Sequence, residues 1–260
     1  LTAQDLPFLL KWADLPCNRQ DIPAYEDWVR NHLPPTALPS YARHFRLRAR
    51  RDSEEKDRRI QQQRPAPQDI FHPLGLEPER YIADAKRMTR NWTGIPGDRL
   101  FVCDGGRETL TIDAEGNILL CTFVRHPSAV LSTEGEREPL RKALSEFFPQ
   151  VREISTGNPE YLKRCGRCFL RGLCEQCPGT SFTEHGTLDT PVDYFCAKAH
   201  AEAGSIGLLA NGEKAWEVSN WKSRMERILP PSFFLQSGPN TANEEGLDAN
   251  ESVPQPLNSG

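Results

Sequence analysis

The stretch Lys163-Arg164-Cys165-Gly166-Arg167-Cys168-Phe169-Leu170-Arg171-Gly172-Leu173-Cys174-Glu175-Gln176-Cys177-Pro178-Gly179 decides how this chain is read. Four cysteines fall within thirteen residues, spaced C-x2-C-x5-C-x2-C. Two residues between thiols let a tight turn aim both sulfurs at one point, as a metal centre needs. Gly166, Gly172 and Gly179 supply backbone freedom for such turns. Leu170 and Leu173 can cover a centre, while Lys163, Arg164, Arg167 and Arg171 can offset thiolate charge. Cys103 and Cys121 lie before this stretch and Cys196 after it. Seven thiols are too many for one site, so the pattern implies two sites with an interleaved ligand set.

Three chemistries compete for these thiols. Disulfide frameworks suit short secreted chains, whereas this chain has 260 residues and an odd cluster of seven cysteines. Structural zinc fits paired C-x2-C knuckles, but zinc ribbons separate them by about 15–20 residues, not five. Iron–sulfur clusters accept short, uneven cysteine spacings, and they are the preferred reading. The eighth cysteine, Cys17, stands alone and reads as a small hydrophobe or an idle thiol. His126 and His185 lie near the ligand segments and read as loop residues.

Composition bounds the partners. A net charge of −4 gives no argument for nucleic acid, and the basic run from Arg43 to Arg64 is interspersed with acids, as a solvated face would be. No apolar stretch approaches the ~18 residues of a membrane span. The opening Leu1-Thr2-Ala3-Gln4-Asp5 lacks a signal peptide's charge and apolar core, and also a methionine. The expectation is the C-terminal part of something longer, in a reducing cytoplasm that suits clustered free thiols.

Along the chain, Ala24 to His32 predicts a short helix stopped by Pro34 and Pro35. Phe45 to Arg50 alternates apolar and charged residues, which predicts a strand with one wet face. Asp52 to Gln63 is rich in helix formers and is ended by Pro65 and Pro67. Glu79 to Trp92 is helical in pattern, with Tyr81, Ile82, Ala85, Met88 and Trp92 as a packing stripe. Leu110 and Ile112, then Ile118 and Leu120, mark two strands around the turn Asp113 to Asn117. That hairpin sets Cys121 at a strand end, where Cys103 can join it. Glu138 to Val151 predicts an amphipathic helix through Leu140, Leu144, Phe147 and Val151. Thr180 to Asp189 reads as irregular, Ala197 to Leu209 as a helix headed by Cys196, and Trp216 to Leu229 as a last short helix. Residues 236–260, poor in apolar side chains and free of lysine and arginine, read as disordered.

The order Cys103-x12-Gly116-x4-Cys121, then Cys165-x2-Cys168-x5-Cys174-x2-Cys177, then Cys196 resembles the SPASM domain. That domain is the C-terminal auxiliary-cluster module of many radical SAM (S-adenosylmethionine) enzymes that mature peptides and proteins. The likeness covers roughly residues 98–205 and departs once, with two residues instead of the family's three between Cys174 and Cys177. It implies that Cys165, Cys168, Cys174 and Cys196 hold one auxiliary 4Fe–4S cluster, and that Cys103, Cys121 and Cys177 hold a second. The fourth position of the second would be left to a group such as Asp104, to water or to substrate. Thr122 stands where the sulfatase-maturing branch has a carboxylate, which counts against that chemistry. Residues 1–65 are similar, more weakly, to the end of a radical SAM barrel, with Phe45–Arg50 as a late strand.

The fold expected is therefore α+β: a remnant of a βα barrel over 1–66, a linker and helix over 67–97, and an irregular cysteine-rich domain with a β-hairpin and short helices over 98–209. A C-terminal helix over 210–235 and a disordered tail over 236–260 follow. The function expected is electron transfer and peptide-substrate engagement by two auxiliary 4Fe–4S clusters. An electron donor or acceptor protein is a possible partner; nucleic acid and membrane are not expected. The chain has no C-x3-C-x2-C triplet, so S-adenosylmethionine would be bound and cleaved only in a full-length parent, and no SAM-binding or catalytic residue is assigned. The competing expectation is a structural zinc or cluster module, or an adaptor, with no catalysis of its own.

Overall fold

The computed structural model describes residues 10–13, 15–34, 40–42, 45–48, 53–69, 82–83, 85–86, 89, 94–131 and 138–228. Near the start, strand β1 (Lys11–Ala13) pairs in parallel with β2 (Ser40–Ala42), and helix α1 (Ile22–His32) lies between them in sequence. Pro23 suits the first turn of α1, where its missing N–H costs nothing. Ile22, Tyr25 and Val29 form the buried stripe, and Tyr25 donates its hydroxyl to the Leu10 carbonyl at 3.0 Å.

The strand expected at Phe45–Arg50 is not where extended pairing occurs. β2 ends at Ala42, residues 45–48 are irregular, and 49–50 lie outside the described residues. Tertiary contacts claim these groups instead: Arg64 Nε donates to the Phe45 carbonyl at 2.8 Å, and Arg46 Nε reaches Glu175 at 3.2 Å.

Helix α2 (Glu54–Gln62) matches the helix expected over Asp52–Gln63. The Ser53 hydroxyl accepts from Lys56 N–H at its start, and Glu54, Glu55 and Asp57 sit favourably in its first turn. Of the next expected helix, Ile82, Ala83, Ala85, Lys86 and Thr89 are helical, whereas Tyr81, Met88 and Trp92 lie outside the described residues.

The hairpin forms with β3 (Thr111–Ile112) antiparallel to β4 (Asn117–Leu119), pairing Ile112 with Ile118. Its turn is fastened by the Asp113 carboxylate, which accepts from the backbone N–H of Glu115 and Asn117 at 3.1 and 2.9 Å. Gly116 has φ +79°, which only glycine adopts without strain. A third strand, β5 (Ala129–Val130), pairs with β4 and was not foreseen.

Beyond the sheet, α3 (Pro139–Lys142), a π-helical turn (Ala143–Phe147) and α4 (Phe148–Arg152) run on continuously. The buried positions are Ala143, Phe148 and Val151, while Leu140 and Leu144 are exposed, correcting the expected stripe. Pro149 supplies the reason: it has no N–H for the preceding turn, and the π turn absorbs the defect and rotates the face.

Helix α5 (Pro159–Lys163) is capped by the Asn158 side chain, which accepts from Glu160 N–H at 3.0 Å. Thr180 to Asp189, expected to be irregular, instead begins inside helix α6 (Pro178–His185). Its punctuation is regular: Cys177 caps it, Pro178 opens it, and Gly186 in the left-handed region ends it. Helix α7 (Asp193–Ser205) starts before Cys196, not at it. A 3₁₀ turn (Ala215–Glu217) and α8 (Trp221–Ile228) complete the described chain, and residues 236–260 lie outside it.

The class is α+β, with a small antiparallel sheet and separate helices. Two apolar clusters organise it. One gathers Phe169, Leu170 and Leu173 with Ala199, Leu208 and Met225; the other gathers Ile118, Leu120, Phe148, Val151 and Tyr161. Between α2 and the rest, Arg64 reaches in to pair with Glu184 of α6, their side chains 7% and 4% exposed, and lies over the Tyr194 ring at 4.7 Å. No described helix is long and apolar enough to cross a membrane.

Candidate metal centre

Cys168 and Cys174 border the first apolar cluster, and Cys121 and Cys165 border the second. A partly open cavity of about 90 Å³ lies against both, and six cysteines line it: Cys103, Cys165, Cys168, Cys174, Cys177 and Cys196. All eight cysteines are free thiols; Cys17 is exposed and lies apart. Cys121 does not line the cavity, and Asp104 and Thr122 are exposed outside it.

Local turns bring one group of thiols together. Cys165 opens a 3₁₀ turn whose closing bond runs from Cys168 N–H to the Cys165 carbonyl at 3.3 Å. Leu170 to Cys174 makes a second turn, closed from Cys174 N–H to the Leu170 carbonyl at 2.9 Å. The Cys174 thiol then reaches the Phe195 carbonyl at 3.9 Å, one residue before Cys196 on α7. At Gly166 a Cβ would meet the Gly97 carbonyl oxygen at 2.6 Å, so glycine lets the Cys165 turn press against the backbone at residue 97. Its role is close packing, not the turn freedom expected from the sequence.

Backbone contacts between distant segments assemble the other group. Gly106 N–H donates to the Leu120 carbonyl at 3.1 Å, holding the Cys103 loop beside Cys121. Arg152 donates to the carbonyls of Cys103 and Gly105 at 2.5 and 2.8 Å. At Gly179 a Cβ would meet the Phe123 carbonyl oxygen at 2.5 Å, so glycine lets the start of α6, with Cys177, press against the segment after Cys121. The Cys177 sulfur accepts from Thr180 N–H at 3.4 Å as the helix cap.

Electrostatics follow the same division. Burial pushes Cys165 and Cys168 up to about 12, and the neighbouring Cys196 thiol adds to the shift in each. Cys174 is raised as well, by burial and then by Cys168, with Cys165 and Cys196 adding to it. Cys121 is raised by burial, with further contributions from Cys177 and Cys103. Thiols so raised are neutral near pH 7 unless a cation or metal centre stabilises the thiolates. Arg171 lines the same cavity; burial lowers its pKa, opposed by Cys103, Tyr161 and Cys177. Burial and then Cys165 push the Tyr161 phenol up to about 12.

Among the described residues, no three His, Cys, Asp or Glu side chains converge closely enough to hold a single metal ion. The thiols are instead distributed around a shared wall. His200 was missed from the sequence, although its spacing four residues after Cys196 on a helix signals a shared face. Its Nε2 accepts from Ala215 N–H at 3.1 Å, which leaves Nδ1 to donate to the Cys196 carbonyl at 2.7 Å. The chain matches no protein-family model, no curated protein and no solved structure in the comparisons made.

Proposed function

We propose that this chain is an iron–sulfur module with two 4Fe–4S centres, serving electron transfer and peptide-substrate engagement in a radical SAM maturase. One observation carries the reading: six cysteines line one cavity, and by their mutual electrostatic influence the thiols fall into two groups, Cys165, Cys168, Cys174 and Cys196 against Cys103, Cys121 and Cys177. Donors spread around a wall suit a group with several metal atoms better than a single ion, whose ligands must converge.

When bound, such centres supply one-electron redox chemistry at potentials tuned by charge, hydrogen bonding and solvent exposure. The chain's own residues do the rest. Leu170 and Leu173 form part of the apolar cluster that Cys168 and Cys174 border, and Arg171 offsets thiolate charge beside Cys103 and Cys177. The group of three thiols leaves a position that a substrate donor atom can take. S-adenosylmethionine cleavage needs the C-x3-C-x2-C triplet that this sequence does not contain, so it would be supplied by a larger parent protein.

The test is the iron, sulfide and zinc content of the anaerobically reconstituted chain, with its absorption spectrum. About eight iron and eight sulfide per chain are expected for two 4Fe–4S centres. A colourless protein with stoichiometric zinc would refute the reading and leave a structural metal module.

A further inference from the structure

Arg164 lines the cavity, and its side chain is only 17% exposed. Two of its nitrogens are committed: Nη1 to Glu160 at 3.2 Å and Nη2 to Asp193 at 2.7 Å. The Trp216 ring covers the guanidinium at 5.2 Å. These contacts fix the position of the fork. Its third nitrogen, Nε, is buried and has no hydrogen-bond partner at ordinary distance among the described residues. A buried donor without an acceptor is costly and calls for an explanation.

Resting on the two-centre reading above, we propose that Arg164 sets the reduction potential of the centre held by Cys165, Cys168, Cys174 and Cys196, donating its Nε–H toward that centre's sulfurs. Burial works against the Arg164 charge, but the nearby Cys196 thiol, with Asp193 and Glu160, outweighs it and raises the pKa. His200 supports the arrangement by gripping the Cys196 carbonyl, with Nδ1 3.7 Å from the sulfur, and by packing edge-on against Trp216. The physical effect has a definite sign. An added electron makes the sulfurs more negative, so a fixed cation and an N–H donor favour the reduced state and raise the potential. Glu160 and Asp193 act as orienting partners. Arg164 is a positioning residue, not a ligand.

The experiment is a dithionite titration of the reconstituted full chain, followed by electron paramagnetic resonance, with iron content measured in parallel. Each step is the one-electron reduction of a centre by dithionite. Arg164→Gln is expected to retain its iron and to shift one of two potentials negative by on the order of tenfold in the one-electron equilibrium, about 59 mV. The second potential stays in place as an internal reference. Arg164→Lys, which keeps the charge but loses the planar fork, is expected to shift the same potential by less. Unchanged potentials in an iron-replete Arg164→Gln protein would overturn the proposal. So would loss of iron by both variants, which would make Arg164 structural. An unaltered chain that takes up no iron and sulfide would instead defeat the two-centre reading itself.

Discussion

The two thiol groups are built by different means. Cys165, Cys168 and Cys174 come from consecutive short turns, and Cys196 joins them from the first turns of α7. Cys103, Cys121 and Cys177 come from a loop, a strand end and a helix cap, drawn together where backbone meets backbone. Three of the first group's thiols are local in sequence, and Cys168 and Cys174 border the helical apolar cluster. The second depends on three separate segments staying docked. Loss of docking should therefore damage the second group while sparing the first, unless the shared foundation fails.

That foundation is the largest lever. Arg64 pairs with Glu184 on α6, which starts at Cys177, and lies over Tyr194 on α7, which carries Cys196. Arg64→Ala leaves a buried carboxylate unpaired and is expected to destabilise the chain by about 3–5 kcal/mol in urea unfolding. Iron uptake should fall in both groups together; loss confined to one would mean that the two do not share this support.

Single thiol removals separate the groups. Cys168→Ala is expected to lose about half the iron and leave the second centre visible, and Cys121→Ala to do the converse. If either change empties both, the groups fold only as a unit, and the comparison breaks.

Backbone approach gives a finer test. Gly179→Ala sets a methyl 2.5 Å from the Phe123 carbonyl oxygen, and Gly166→Ala sets one 2.6 Å from that of Gly97. Each should cost about 1–3 kcal/mol, measured by thermal or urea unfolding. The first should weaken the Cys103, Cys121 and Cys177 group, and the second the other group. Equal damage to both groups by either variant would contradict the division.

The smallest effect concerns the hairpin turn that leads to Cys121. Hydrogen bonding from the Asn117 side chain, foremost, holds Asp113 down at about 2, and Arg125 contributes to the shift. A depressed carboxylate stabilises the fold above its unfolded pKa, near the ordinary 3.8, and that contribution is lost as pH falls toward about 2. Asp113→Asn should therefore flatten the stability profile between pH 4 and 2 relative to the unaltered chain, with the hairpin amides as the readout. A difference between the two proteins confined to neutral pH would sink this account.

Much of this was legible in the residues. Patterning located the hairpin, α1, α2 and the amphipathic segment before residue 152, because period and punctuation are local properties. It misplaced the buried face of that segment, since Leu144 and Phe148 exchange roles only when Pro149 forces a π turn. It missed α6, whose threonines and serine read as loop although Cys177, Pro178 and Gly186 are sound helix boundaries. The strand expected over Phe45–Arg50 is irregular at 45–48, where the distant Arg64 side chain takes the Phe45 carbonyl.

By itself the sequence determined that seven thiols fall in an order suited to metal chemistry, because spacing and turn residues act over a few positions. The resemblance implied how the thiols group, but only the tertiary structure supplies the contacts that set them beside one another. Cys177, three residues from Cys174, presses toward Cys121 instead, because Gly179 admits the Phe123 backbone and α6 turns its cap away from the neighbouring loop. Likewise, the buried Nε–H of Arg164 is invisible in a run of basic residues. A donor becomes isolated only when packing removes it from water and its neighbours have taken their own partners.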